Sequence, residues 1–77
     1  MSREVVEYVA EWLVDYPDEV EVTETEGDGG LVLELSVHPD DVGKVIGKRG
    51  RIIRSLRAIA KASGQRQHQN VSVEVID

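Results

Sequence analysis

The chain has 77 residues, no cysteine and a formal net charge of −6. That length suits one domain whose core removes only about 60% of the unfolded surface from water, and the missing thiols exclude disulfides and thiolate zinc sites. No apolar run approaches the roughly 20 residues of a transmembrane helix, and Met1 to Glu7 holds no signal-peptide core, so the expectation is a cytoplasmic protein, with a partner subunit as the extra support such small cores often take.

Residues 3–16 have the spacing of an amphipathic helix. Val5, Val6, Val9, Trp12, Leu13 and Tyr16 share one side, and Glu4, Glu7 and Glu11 share the other. Ser2 is the candidate N-cap and Pro17 the stop. On this pattern Trp12 belongs to the core. Residues 19–26 alternate around Val20 and Val22, and residues 31–38 alternate through Leu31, Leu33, Leu35 and Val37. With the turn signal Gly27-Asp28-Gly29-Gly30 between them, the two strands form an antiparallel hairpin.

Pro39 at a first helical position, followed by Asp40 and Asp41, predicts a helix to about Ile46. His38 before it is a strand-end residue. Gly47 to Gly50 interrupts, and a second helix runs from about Arg51 to Ser63, with Ile52, Ile53, Leu56, Ile59 and Ala60 inward and Gly64 as its C′ residue. Gln65 to Asn70 is polar and expected to be flexible. Val71, Val73 and Val75 then alternate with Ser72, Glu74 and Ile76 in a last strand. The crossover of two helices returns this strand parallel to the second one. The order α-β-β-α-α-β describes an α+β fold over residues 1–77: a three-stranded mixed sheet, covered on one face by helices and open on the other.

Charge is strongly segregated. Lys44, Lys48, Arg49, Arg51, Arg54, Arg57, Lys61 and Arg66 fall in a stretch with no acid, whereas the first 43 residues hold 13 of the 15 acids and one base, Arg3. A helix stabilised only by surface pairs would mix signs at i,i+4 spacing. Inside the basic stretch lies Val45-Ile46-Gly47-Lys48-Arg49-Gly50-Arg51-Ile52-Ile53. Two glycines let a chain turn sharply and keep Cβ atoms away from a ligand. The loop enters the second helix, whose unpaired N–H groups and dipole attract anions. Gly47 and Gly50 are therefore expected to turn their amides to phosphate, and Lys48 and Arg49 to add charge. Lys44, Arg51 and Arg54 widen the basic field. Val45, Ile46 and Ile53 are candidate groove walls, with the core as their alternative place.

The segment resembles the KH family, whose defining feature is an I-G-x-x-G sequence between two helices, and the element order matches type II. The likeness to the small bacterial single-domain KhpA-type proteins covers the whole chain, including Val20-Glu21-Val22, Leu33-Glu34-Leu35, Pro39 and Gly43-Lys44-Val45-Ile46-Gly47-Lys48. The resemblance implies a clamp on about four nucleotides of single-stranded RNA, with the Gly64–Asn70 loop as the second lip. It also implies a homodimer, or a heterodimer with a larger KH-containing protein, and roles in small-RNA binding and cell elongation.

Enzymatic residues are not found. Gly43-Lys44-Val45-Ile46-Gly47-Lys48 is one residue short of a P-loop and lacks its Ser/Thr. No nucleophile–base pair, carboxylate pair or metal cluster can be assembled, so no cofactor, metal or small-molecule substrate is expected, and no membrane. Tyr8, Trp12 and Tyr16 all lie in the first helix, leaving the motif without a stacking platform. The rival classes are a protein-interaction and dimerisation adaptor with incidental nucleic-acid binding, and a binder of single-stranded DNA.

Overall fold

The structure, a computed structural model, describes residues 2–76. The helical and alternating patterns become α1 (Ser2–Leu13), β1 (Glu21–Gly27), β2 (Gly30–Ser36), α2 (Pro39–Ile46), α3 (Arg51–Arg66) and β3 (Val71–Ile76), with 3₁₀ turns at Pro17–Glu19 and Lys48–Gly50. The sheet order is β1-β2-β3. β1 runs antiparallel to β2, from Glu21 opposite Ser36 to Gly27 opposite Gly30. β2 runs parallel to β3, from Leu31 opposite Val71 to Ser36 opposite Ile76.

This register sorts the side chains. Val22, Leu33, Leu35 and Val73 are buried beneath the helices, where Val6, Ala10, Val45, Ile53, Leu56 and Ala60 complete the core. The other face carries Glu21, Thr23, Glu34, Ser36 and Glu74, with Glu34 directly beside Glu74 across the β2–β3 pair. Only Val22 of β1 is buried, so this edge strand is guarded by acidic side chains against pairing with another chain. Among the described residues, no helix is long and apolar enough to cross a membrane.

Several expectations are corrected. Ser2 lies inside α1, and its hydroxyl donates to Ser63 Oγ at 3.0 Å instead of capping. The helix stops at Leu13, not Tyr16, because the amides of Asp15 and Tyr16 leave the helical path to donate to the two carboxylate oxygens of Asp41, at 3.1 and 3.0 Å. Trp12 is not in the core: it is 74% exposed, edge-on to Tyr8. The buried stripe of α1 runs through Ser2, Val6 and Ala10 instead. Ala10, with Ala60 and Gly64 on α3, keeps the facing surfaces of the two helices small, and close approach of the helices leaves no room for an indole between them.

α3 runs three residues past Ser63, to Arg66, so Gly64 is not a C′ residue but a buried helical one. A Cβ there would sit 2.5 Å from the Gln69 carbonyl oxygen and 2.6 Å from Val71 Cγ2. Gly64 is needed for close approach of the helix to the chain that starts β3. Gly64→Ala is expected to cost about 2 kcal/mol by overpacking. Urea unfolding should show a lower midpoint at an unchanged slope, and an unchanged midpoint would contradict the close approach.

The segment between α3 and β3 is a series of hydrogen-bonded turns. The amides of Gln67 and Gln69 both donate to the Gly64 carbonyl, at 3.0 and 2.8 Å, and that of His68 donates to Gln65 at 3.1 Å. His68 takes a positive φ of 57° to close the turn. His38 proves to be the N-cap of α2, its Nδ1 accepting from the Asp40 amide at 3.0 Å while its ring stacks on Tyr16 at 4.0 Å.

Candidate nucleic-acid interface

The candidate clamp, Gly47-Lys48-Arg49-Gly50, is built where α2 ends. The Gly47 amide donates to the Gly43 carbonyl at 2.7 Å and closes the helix. A Cβ on Gly47 would collide with that same Gly43 oxygen, so glycine is required by proximity; its φ of −78° is ordinary. The next three residues turn left-handed, with φ of 52° at Lys48, 63° at Arg49 and 68° at Gly50. Gly50 adopts this freely. Lys48 and Arg49 do so at a cost of about 1 kcal/mol each. Strain of this kind is characteristic of sites where the backbone is held for function.

One part of the expected geometry is corrected. The amides of Gly47 and Gly50 do not face outward; that of Gly50 donates to the Gly47 carbonyl at 2.9 Å. The donors at the head of the turn are those of Lys48 and Arg49, which precede its first internal hydrogen bond. Both side chains are exposed. With Arg51, Arg54, Ser55 and Ala58 they line a shallow concavity of about 440 Å³.

The cations divide by partner. Arg3 is paired with Glu4, Glu7 and Glu24, and Lys44 with Asp15 at 3.1 Å. Lys44 is thus tied to the end of α1, one turn before the clamp. Arg57 donates from Nε to the Val73 carbonyl at 3.2 Å, bridging α3 to β3, so its side chain is engaged at the sheet. Among the described residues, Lys48, Arg49, Arg51 and Arg54 form no ion pair. Arg51 and Arg54 begin α3, where the helix dipole is positive and a cation is unfavourable. Four like charges at that pole destabilise the protein alone and are offset when an anion sits among them.

The candidate groove walls separate. Val45 is fully buried and Ile53 is 5% exposed, so both belong to the core, whereas Ile46 is 52% exposed beside the clamp. Among the described residues there is no cluster of three or more His, Cys, Asp or Glu able to hold a metal ion.

A sequence model of the KhpA/KhpB KH domain matches residues 3–75. The chain belongs to that family. RNA-binding protein KhpA of Treponema pallidum is 47% identical over 77 residues, covering 100% of this chain and 96% of the relative. KhpA of Halalkalibacterium halodurans is 47% identical over 75 residues, covering 97% and 99%. KhpA of Clostridium acetobutylicum is 46% identical over 74 residues, covering 96% and 99%. The type II KH topology recurs in Aquifex aeolicus Era bound to GDP·AlF4⁻, with a TM-score of 0.68 at 22% identity over 96% of this chain. It recurs equally in Era bound to MgGDPNP and nucleotides 1506–1542 of 16S ribosomal RNA, again with a TM-score of 0.68. This chain spans less than a third of Era, 29% and 30% of the two chains. The likeness is one of fold.

Within the KH frame, two residues escaped the sequence. Asp41 reads as an ordinary first-turn acid, yet it is fully buried and fixes the end of α1 against α2. Arg57 reads as one more cation of the basic stretch, yet its Nε is bound to a β3 carbonyl. No signal in the chain distinguishes Asp41 from its exposed neighbour Asp40.

Proposed function

We propose that this KH domain binds single-stranded RNA through its sugar-phosphate backbone at the turn Gly47-Lys48-Arg49-Gly50, as a post-transcriptional regulator or RNA chaperone of a bacterial cytoplasm. One observation carries the proposal: four cations that form no ion pair among the described residues converge on the positive pole of α3, around a turn held in a strained left-handed conformation. A phosphate offers the charge that this pole lacks, and the amides of Lys48 and Arg49 offer it hydrogen bonds. The RNA-binding relatives named above support the choice of nucleic acid. Gly47 and Gly50 shape the clamp, Lys48 and Arg49 contact phosphate, Arg51 and Arg54 extend the field, and Ile46 lies against the sugar or base. The domain acts as a binding module and not as an enzyme.

Affinity for a short RNA should fall with salt. If two or three phosphates are neutralised, a plot of log K against log salt has a slope of about −1.4 to −2.1. Fluorescence anisotropy of a labelled oligonucleotide measures it, and a slope near zero would refute backbone binding. Competition with the matching DNA oligonucleotide decides between RNA and single-stranded DNA.

A partner subunit has its own support. Val5, Tyr8 and Trp12 recur at three- and four-residue spacing on α1 and are 39%, 62% and 74% exposed. Such an apolar stripe on a small surface marks a contact with protein, either a second copy or a larger KH-containing protein. Two clamps joined in this way raise affinity for longer RNA by avidity.

A further inference from the structure

The concavity beside the turn holds a polar side chain that contact with phosphate does not explain. Arg51, Arg54, Ser55 and Ala58 recur at three- and four-residue spacing, so they share one face of α3. With Lys48 and Arg49 they line the concavity of about 440 Å³. Ser55 and Ala58 are exposed. Both are short, so they form a low floor between longer cationic arms.

The hydrogen-bonding character of this lining is one-sided. Lysine and arginine side chains are donors without acceptors, and alanine has neither. Such a lining suits phosphate oxygens, which accept. Ser55 differs. Its hydroxyl donates to the Arg51 carbonyl at 3.0 Å, the back-bond of a helical serine to the residue four before it. A carbonyl oxygen only accepts, so the serine proton is engaged there, and Ser55 Oγ presents its lone pairs to the concavity. Of the side chains that line the space, Ser55 is the one with an acceptor.

A group that meets this oxygen must therefore donate. Along a nucleic-acid backbone the ionised phosphates have no proton to give, and neither does an internal deoxyribose. The ribose 2′-hydroxyl is the donor that RNA adds, and it is the group by which a protein tells RNA from DNA. The position also suits a sugar. Ser55 lies four residues beyond Arg51, about 6 Å along the helix axis. A phosphate held by the amides of Lys48 and Arg49 carries its ribose beside it. A strand leaving the turn along this face of α3 lays that sugar over Ser55 and Ala58, where the short side chains leave room.

We propose that Ser55 Oγ accepts a hydrogen bond from a ribose 2′-hydroxyl of the strand held at the turn, and that this contact makes the domain prefer RNA to single-stranded DNA. The inference rests on backbone binding at Gly47-Lys48-Arg49-Gly50 and adds the atom that reads the sugar. Phosphates take the donors of the concavity, and the sugar takes its acceptor.

The test uses eight-nucleotide oligo(A), oligo(C) and oligo(U), each made with ribose, 2′-deoxyribose or 2′-fluoro-2′-deoxyribose. Fluorine keeps the pucker of ribose but cannot donate, so it separates the hydrogen bond from the shape of the sugar. The wild type should bind the ribose strand about fivefold more tightly than either of the others, as one hydrogen bond allows. In Ser55→Ala the ratio should fall to about one. Alanine is the strongest helix former, and the variant should melt no lower than the wild type. A ribose preference that persists in Ser55→Ala would overturn the contact and leave the clamp standing. So would a 2′-fluoro strand that binds the wild type as tightly as ribose, or a wild type indifferent to the sugar. If Lys48→Asp/Arg49→Asp binds all strands as the wild type does, the clamp itself fails, and the Ser55 contact with it.

Discussion

Reversing both cations of the clamp, with Lys48→Asp and Arg49→Asp in one chain, is expected to weaken binding of a short single-stranded RNA by about 100-fold or more at 0.1 M salt. Each substitution removes a phosphate partner and puts a repelling charge in its place. The backbone should tolerate the change well, because aspartate enters the left-handed region several-fold more readily than most residues, and both positions require it at φ of 52° and 63°. Neither side chain has an ion pair to lose among the described residues. The melting temperature and the oligomeric state should therefore survive. Anisotropy titration with sedimentation on the same samples separates the two classes of function. Loss of RNA with an intact oligomer supports the clamp, whereas collapse of the oligomer favours the adaptor.

The second large effect concerns stability. Asp41→Ala should remove about 3 kcal/mol, the combined worth of two hydrogen bonds to a buried carboxylate. For a domain of this length that corresponds to a fall of about 12–24 °C in melting temperature. The carboxylate is fully buried, and both of its oxygens are engaged by the amides of Asp15 and Tyr16. Asp41→Asn keeps one good acceptor and should lose about half as much. Because Asp41 sits on α2 and its partners follow α1, loosening it also frees Lys44 from Asp15 and lets α2 shift under the clamp. Thermal unfolding followed by circular dichroism measures the effect, and a drop of less than about 4 °C would show that the turn is held by other contacts.

The element order, strand pairing and position of the glycine-bounded turn were legible because they depend on periodicity and on glycine, proline and charge. The alternation of Val71, Val73 and Val75 placed β3 within the correct residues, and Pro39 fixed the start of α2. What failed depends on distances between elements. Trp12 has the right spacing for a core residue, but the interior admitted Ala10 because α3 is close. Gly64 has the composition of a helix end, but its role is to let β3 approach, which only the third dimension reveals. At the site, the basic residues were identified as a group. Their division was not, since a one-dimensional pattern gives Arg54 and Arg57 the same description, while a carbonyl on β3 captures only the second. The glycine amides were assigned outward on the assumption of an open bend. The chain instead spends them on its own carbonyls, and the left-handed turn brings the two cationic residues to the front.

The uncovered side of the sheet bears on how a strand first meets the protein. Glu21, Glu34 and Glu74 stand there without helices above them, while the cations gather around α3. The open face is thus more negative than the start of α3, and the field of a polyanion favours approach to the basic end before any contact forms. Collisions on the acidic side are brief and repulsive, and rotational diffusion during approach is biased toward the productive orientation. The carboxylates of the open face are thus expected to act on association kinetics, by shortening encounters on that side.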